Sequence, residues 1–535
     1  MFRLPRTALL LLGLVGGLYL WNLGAPELTD TDESRSGCIV RDMVEGGHWH
    51  LPRTPDGILC EKPPAYYAPT ALIVKLFGRS DGAMRLVSVM AALGTLAVTA
   101  WLARLYGTAR ASWLAVLALA SNLIFIRWAR QAMVDMTLTF FLTAGLASYF
   151  AARLGVLKPR PAAIACGISW ALAVLTKGPL FLVWPMAVVG GDALVASRGR
   201  LSTLRVHWKW GVLALAIAAA LPFPWYWAGW RAGGGEFLKT CLGENFMPLG
   251  EAEGTQSSHH KAWPLLYYFW NQPLFLLPML PLLPAAVRWL GDRRSDPARS
   301  HLLAWIGLGF LLFLAASNKR HYYLLPLQPA FALVIALGAD AVAEDGLRKT
   351  FAWGTGIASG LLILAAASGF YLLSRPSLLD RWAGPGLVEA MGARSGMLGT
   401  LAFLGMGVGT AGLVSLRTGI PGMLRTAARI GFFAVAGNSI VADEVAASLN
   451  PNQRFVAEAL REGAESSAAV MPPFTTYGLH YYWPGPLPQD AAAAKVARFV
   501  FVRRDKLGLV PGPVEEKAVR PYGKHEKDVL LVQRR

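Results

Sequence analysis

Ionisable side chains are scarce in this 535-residue chain, and those that break its long apolar runs fall in a few places. Asp30, Asp32, Glu33 and Arg35 open a polar stretch running from Asp30 to Tyr67, which also holds His48, His50, Glu61 and Lys62. Further on, RWARQAMVDMT places Arg127, Arg130 and Asp135 between two apolar runs, and LTKGPL sets Lys177 at a tight turn. GTQSSHHKAWP carries His259, His260 and Lys261, and SNKRHYYLLP carries Lys319, Arg320, His321, Tyr322 and Tyr323. Cations gathered in this way suit a phosphate, which Arg binds bidentately and Lys as a point charge. Nearby carboxylates suit a general base or an electrostatic partner for a developing oxocarbenium ion. Aromatic rings such as Tyr322 suit a sugar or a lipid chain.

The elements that must position these groups are membrane helices. Hydrophobic residues make up 54% of the chain and charged residues only 16%, against about a quarter in soluble domains. About thirteen apolar runs, from Ala8–Leu23 to Ala427–Val441, approach the roughly 20 residues needed to span a bilayer. The net charge of +18 does not indicate nucleic acid, because most Lys and Arg lie in short loops between apolar runs. Examples are Arg198, Arg200 and Arg205, or Arg417, Arg425 and Arg429. With the N-terminus inside, every such inner loop is basic, and the first loop, the Trp230–Trp263 loop and the tail lie outside. The N-terminal apolar run lacks a convincing cleavage site and reads as a retained helix.

In the tail, FVAEALREG reads as a short amphipathic helix, and RFVFVRR and VLLVQRR read as strands. The expected fold is therefore an all-α polytopic membrane protein with a small C-terminal α/β extramembrane domain. The membrane domain would occupy residues 1–445, with an outer first loop over 25–80, and the extramembrane domain 446–535. No P-loop, GxGxxG, GxSxG or HExxH is present, so soluble-type nucleotide, hydride and protease chemistry lack their signatures. Cys38, Cys60, Cys166 and Cys241 form no CxxC pair; Cys38 and Cys60 share the first loop, either as a disulfide or as free thiols.

Each group also has an ordinary reading. Asp32 can cap a helix or pair with Arg35. Asp135, just inside an apolar run, can pair with Arg127 or Arg130, because a loose carboxylate there costs several kcal/mol. Lys177 can snorkel to headgroups, and Lys319 and Arg320 can bind anionic lipids non-specifically.

Taken in order, an apolar helix, DxDExR, GxHWxxP, GxxxEKPPxYY, a joint with RxxxxD and TKGP resemble the lipid-phosphosugar-dependent glycosyltransferases of the GT-C fold. The resemblance is strongest to the aminoarabinose transferases that modify lipid A, relatives of the protein O-mannosyltransferases. It covers the membrane part, and the combination of DExR with EKPP carries most of it. One departure is Cys60, where many relatives have His or Tyr before the glutamate.

The resemblance implies an inner-membrane enzyme with a periplasm-facing site, moving aminoarabinose or a similar pentose or hexose from undecaprenyl phosphate to lipid A or another acceptor with inversion. It gives Asp32 the leading catalytic role and Asp135 a supporting one. Arg35, Lys62 and Lys177 match positions associated with carrier phosphate, and Lys319, Arg320 and Tyr322 join them as donor-binding candidates. No cofactor is implied for the chemistry. Glu61 with His260, or with His259, matches a structural metal pair, with zinc as the candidate ion, although two ligands fall short of the usual four. A protein O-mannosyltransferase-like enzyme is the alternative within this class. A lipid or sugar transporter is the alternative outside it, disfavoured by charges on one face and by the lack of a visible repeat.

Overall fold

In a computed structural model, the described residues are 4–534 except 30–31, 58, 60–61, 197–207, 247–266, 293–295, 316–318, 345, 347, 376–390, 393, 443–450, 465–466, 473–476 and 521–527. The chain divides into two compact units, one of residues 1–23, 61–66 and 85–443, the other of residues 24–60, 67–84 and 444–535.

The first unit is helical. Among the described residues, eight helices are long and apolar enough to cross a membrane, or ten if each of two bent pairs is a single span. About thirteen apolar runs are read from the sequence, and the difference lies in the short ones. Arg6–Leu20 (α1) and Pro179–Ala193 are apolar but short. The run expected over Trp113–Ile126 is broken into Ala109–Ala120 (α5) and Leu123–Ala129 (α6), bent by 72°. The break falls at Ser121 and Asn122; Asn122 caps α6 by accepting a hydrogen bond from the Phe125 amide at 3.1 Å, as a short polar side chain does at a helix start. The run over Leu265–Leu290 bends by 77° between Tyr267–Phe275 and Leu277–Asp292, where Pro273, Pro278 and Pro281 withhold backbone donors.

Three helices matter most for the candidate site. Asp81–Tyr106 (α4) and Val134–Arg153 (α7) are long spans, 67% and 72% buried over their most apolar windows. Pro159–Lys177 (α8) starts on Pro159, whose missing N–H costs nothing in the first turn. It stops at Gly178, whose φ of 110° takes the chain out of the helix. Arg130, following α6, donates to the carbonyls of Leu18 (2.9 Å), Tyr19 (2.5 Å) and Trp21 (2.7 Å). Its guanidinium thus satisfies the orphan acceptors at the end of α1.

The second unit joins first-loop segments to the tail. Its four-stranded sheet has the order β1-β2-β4-β3, with β1 Ala468–Val470, β2 Phe499–Arg503, β3 Val514–Arg520 and β4 Val529–Arg534. β1 runs parallel to β2; the other pairings are antiparallel, and a register irregularity interrupts β3 between Glu516 and Ala518. Both sheet faces are covered. Phe499, Phe501 and Leu531 pack with Phe455 of the Pro451–Arg461 helix, and Val500, Val502, Leu530 and Val532 pack with Ala494 and Val510. The expected helix and two strands of the tail are present, whereas β3, VEEKAVR, carries too much charge to be read as a strand.

Two first-loop residues hold this unit together. The Glu27 carboxylate accepts from the amides of Asn452 (3.1 Å) and Gln453 (3.0 Å), capping the Pro451–Arg461 helix from far along the chain. Arg41, on helix Asp32–Glu45 (α2), donates to the carbonyls of His480 (2.6 Å), Trp483 (2.9 Å) and Gly485 (3.0 Å). Cys38 is a free, buried thiol whose S–H points to the Tyr477 carbonyl at 3.3 Å; Cys60 lies outside the described residues.

Candidate active site

In the first unit the local chemistry centres on Lys177 and Asp135. Asp135 falls in the first turn of α7, and Lys177 is the last residue of α8. The carboxylate therefore sits at the positive end of one helix dipole and the ammonium at the negative end of another. Their charged atoms are 2.5 Å apart, with only 14% of the Lys177 side chain and 6% of the Asp135 side chain exposed. The sequence offered Arg127 or Arg130 as the partner of Asp135, and the structure corrects this to Lys177. Arg130 is occupied by α1, and the Arg127 guanidinium lies 5.3 Å from the Trp128 ring centre.

Aromatic rings surround the ammonium. Lys177 Nζ is 5.1, 5.2 and 5.4 Å from the ring centres of Phe181, Tyr322 and Tyr323, within cation–π range. Behind them Trp128 meets His321 edge-on at 4.9 Å and lies 5.3 Å from Tyr322. The charge of Lys177 is thus shared between a carboxylate and π faces, with water largely excluded.

Lys62 belongs to the same unit. Pro63 and Pro64 lack donors, so Ala65 supplies the first amide after Lys62, and it bonds to the Leu175 carbonyl at 2.8 Å. The EKPP turn is thereby fastened two residues before Lys177. Lys319 is buried and donates to the Leu314 carbonyl at 3.1 Å, and burial lowers its pKa below the ordinary lysine value. Arg320 is exposed, and Tyr322 is half-buried in the short helix His321–Leu327. The structure thus brings Asp135, Lys177 and Tyr322 together directly and ties the Lys62 turn to the end of α8.

The remaining candidates lie in the second unit or outside the described residues. Asp32 is half-buried in the first turn of α2, and among the described residues its carboxylate has no hydrogen-bond or ion-pair partner. The pairing with Arg35 that the i, i+3 spacing allows is not formed. Arg35 lies 6.0 Å from the Tyr477 ring centre. Glu33, by contrast, is a structural acid, accepting from the Thr29 amide and hydroxyl at 3.0 Å each. Glu61, His259 and His260 lie outside the described residues, and no cluster of three or more metal-ligating side chains occurs among those described.

Sequence reasoning undervalued Phe181 and Tyr323. Both sit beside motifs already singled out, Phe181 four residues after Lys177 and Tyr323 directly after Tyr322.

Residues 32–231 match the family model of the dolichyl-phosphate-mannose-protein mannosyltransferases. The solved structure of ArnT from Cupriavidus metallidurans bound to undecaprenyl phosphate superposes with a TM-score of 0.79 over 98% of this chain and 97% of that one, at 17% identity. The chain thus has the fold of that ArnT structure, and its residues 32–231 resemble the mannosyltransferase family.

It is also similar to the undecaprenyl phosphate-alpha-4-amino-4-deoxy-L-arabinose arabinosyl transferases. The protein of that name from Aeromonas salmonicida is 32% identical over 68% of this chain and 65% of its own length. The one from Shewanella sediminis is 28% identical over 61% and 59%. The alignments therefore span just under two thirds of these relatives. One from Yersinia pestis is 28% identical over 82% of this chain and 77% of its own length.

Proposed function

We propose that the protein transfers a sugar, aminoarabinose or a close analogue, from undecaprenyl phosphate to lipid A or another acceptor on the periplasmic side of the inner membrane. The observation that carries this reading is the buried Asp135–Lys177 pair under a roof of aromatic rings, with Lys62 on a turn fastened to the same helix end. The similarity to the arabinosyl transferases supports the donor, and the positive-inside pattern supports the orientation. The sheet of residues 468–534 and its helices support a small outer α/β domain.

In the proposed reaction an acceptor oxygen attacks the anomeric carbon from the face opposite the carrier. The bond from that carbon to the phosphate oxygen breaks, its electron pair leaves with the phosphate, and the configuration inverts. The leaving group needs cations rather than a proton donor. Lys177, supported by Lys62, Lys319 and Arg320 of the same unit, receives the developing charge, and in a dry site one such contact is worth several kcal/mol. Asp135 holds the Lys177 ammonium aimed. Asp32 takes the proton of an acceptor hydroxyl; where the acceptor is an ionised lipid A phosphate, it acts by electrostatics alone.

The test is reconstitution with undecaprenyl phosphate-linked aminoarabinose and lipid A, followed by mass spectrometry of the acceptor. Added pentosamine mass on lipid A is the expected outcome. Sugar on a peptide acceptor instead would move the reading to a mannosyltransferase-like reaction, and an unmodified acceptor under all donors would remove it.

A further inference from the structure

Between the Ser395–Ser415 helix and the Ile420–Ala436 helix runs a cavity of about 770 Å³, on elements that hold none of the residues assigned above. Its walls are apolar, with Phe403, Met406 and Val414 among them, and Arg425 and Arg429 stand at its rim. Both arginines are exposed, one turn apart on the same helix face. Among the described residues neither has a carboxylate partner, and no acidic residue lines the cavity. A guanidinium beside hydrocarbon is costly unless it reaches water or an anion.

The groove has the dimensions of a lipid chain. From Phe403 to Ser415 the helix rises roughly 18 Å, close to the ~15 Å hydrocarbon half of a bilayer. Gly407 lines it, and a Cβ at that position would meet nothing within 4 Å. Gly409 and Gly412, by contrast, face Ser359 of the neighbouring Arg348–Ser374 helix, where a Cβ would come within 2.9 and 2.0 Å of it. Glycines thus serve both sides of this helix: some allow close packing, and Gly407 leaves the slot open. A second apolar cavity of about 300 Å³, lined by Leu14, Val116 and Phe432, also borders Arg429. The arginine therefore stands between two slots suited to two acyl chains.

We propose that this face is a binding site for an anionic glycerophospholipid, its phosphate held by Arg425 and Arg429 and one acyl chain lying along Phe403, Met406 and Gly407. Charge complementarity selects the headgroup: two unneutralised guanidinium groups match a phosphodiester whose charge is not cancelled by choline or ethanolamine. The site is independent of the transferase reading and requires only that the chain resides in a bilayer.

The test is native mass spectrometry of the full-length protein titrated with phosphatidylglycerol or phosphatidylcholine in mixed micelles. Phosphatidylglycerol is expected to bind at least about tenfold more tightly. R425Q/R429Q is expected to weaken it by roughly 30-fold, from the attraction lost with two basic side chains, and to leave phosphatidylcholine unchanged. G407L, which keeps both charges and fills the slot, is expected to weaken both lipids. R417Q, outside the lining, is expected to change neither. If the double variant does not fold, R425Q alone carries the charge arm with a smaller loss in the same direction. Equal binding of the two lipids overturns the proposal. So does a preference that survives R425Q/R429Q, a G407L variant that binds normally, or an R417Q loss as large as that of R425Q.

Discussion

At the scale of single residues, Lys177 neutralises Asp135 and, in the proposed reaction, meets a phosphate, and the two can be separated. Lys177→Met leaves a buried carboxylate without its cation, which should destabilise the protein by about 3–5 kcal/mol and lower transfer at least ~100-fold. Adding Asp135→Asn should recover much of the stability, read as the thermal midpoint, and none of the activity. Recovery of both would make the pair purely structural. Asp32→Asn, at a half-buried carboxylate with no partner among the described residues, should abolish transfer without moving the thermal midpoint. Near-normal turnover would remove Asp32 from the mechanism. The sequence already showed Asp32, Asp135 and Lys177 as charges out of place. It could not show that Lys177 rather than Arg127 or Arg130 reaches Asp135, because that depends on where α7 and α8 pack. Arg130 was misleading for a physical reason: three carbonyls at the end of α1 claim it.

Helices and turns pose a different question, namely what holds each in place. α2 carries Asp32 and is fastened by Arg41 to three carbonyls of the tail. Charge-assisted bonds of this kind contribute about 1.5–3 kcal/mol. Arg41→Ala should therefore make residues 477–485 more susceptible to limited proteolysis and lower transfer through α2, with Arg41→Lys restoring only part of either. If cleavage and activity both stay at the level of the unsubstituted protein, α2 is held by other contacts. Apolar runs revealed most spans in advance, since length and hydropathy suffice for that. They did not reveal the bends, because a run such as Leu265–Leu290 stays apolar through Pro273 and Pro281 while its backbone turns by 77°. Nor did they reveal that first-loop segments share a unit with the tail, since contacts such as Glu27 with Asn452 leave no periodic trace.

For the molecule as a whole, acid should act on the second unit. Burial holds His480 down to about 4, against an ordinary 6.5. Between those values the unfolded chain binds a proton that the folded chain refuses, so stability is intact above about pH 6.5 and falls as the pH drops toward 4. The loss should be on the order of 3 kcal/mol at the lower end. Hydrogen exchange over residues 477–483 of the full chain at pH 7 and pH 4.5 measures it, and His480→Gln should flatten the difference. Equal protection at both pH values in the unsubstituted protein would show that the buried imidazole is not the weak point.

The amide of Ala65 has a mechanical consequence. Because two prolines precede it, this amide is the first backbone donor after Lys62, and it fastens the short strap to the carbonyl of Leu175 at the root of the Lys177 turn. The two ammonium groups are thereby mechanically linked: in the proposed reaction, a carrier that lifts the strap on entering or leaving would tug on the helix end presenting the second cation. Grip and release of the carrier would then be a joint motion of both lysines, visible as deuterium uptake at Ala65 that rises and falls with carrier occupancy.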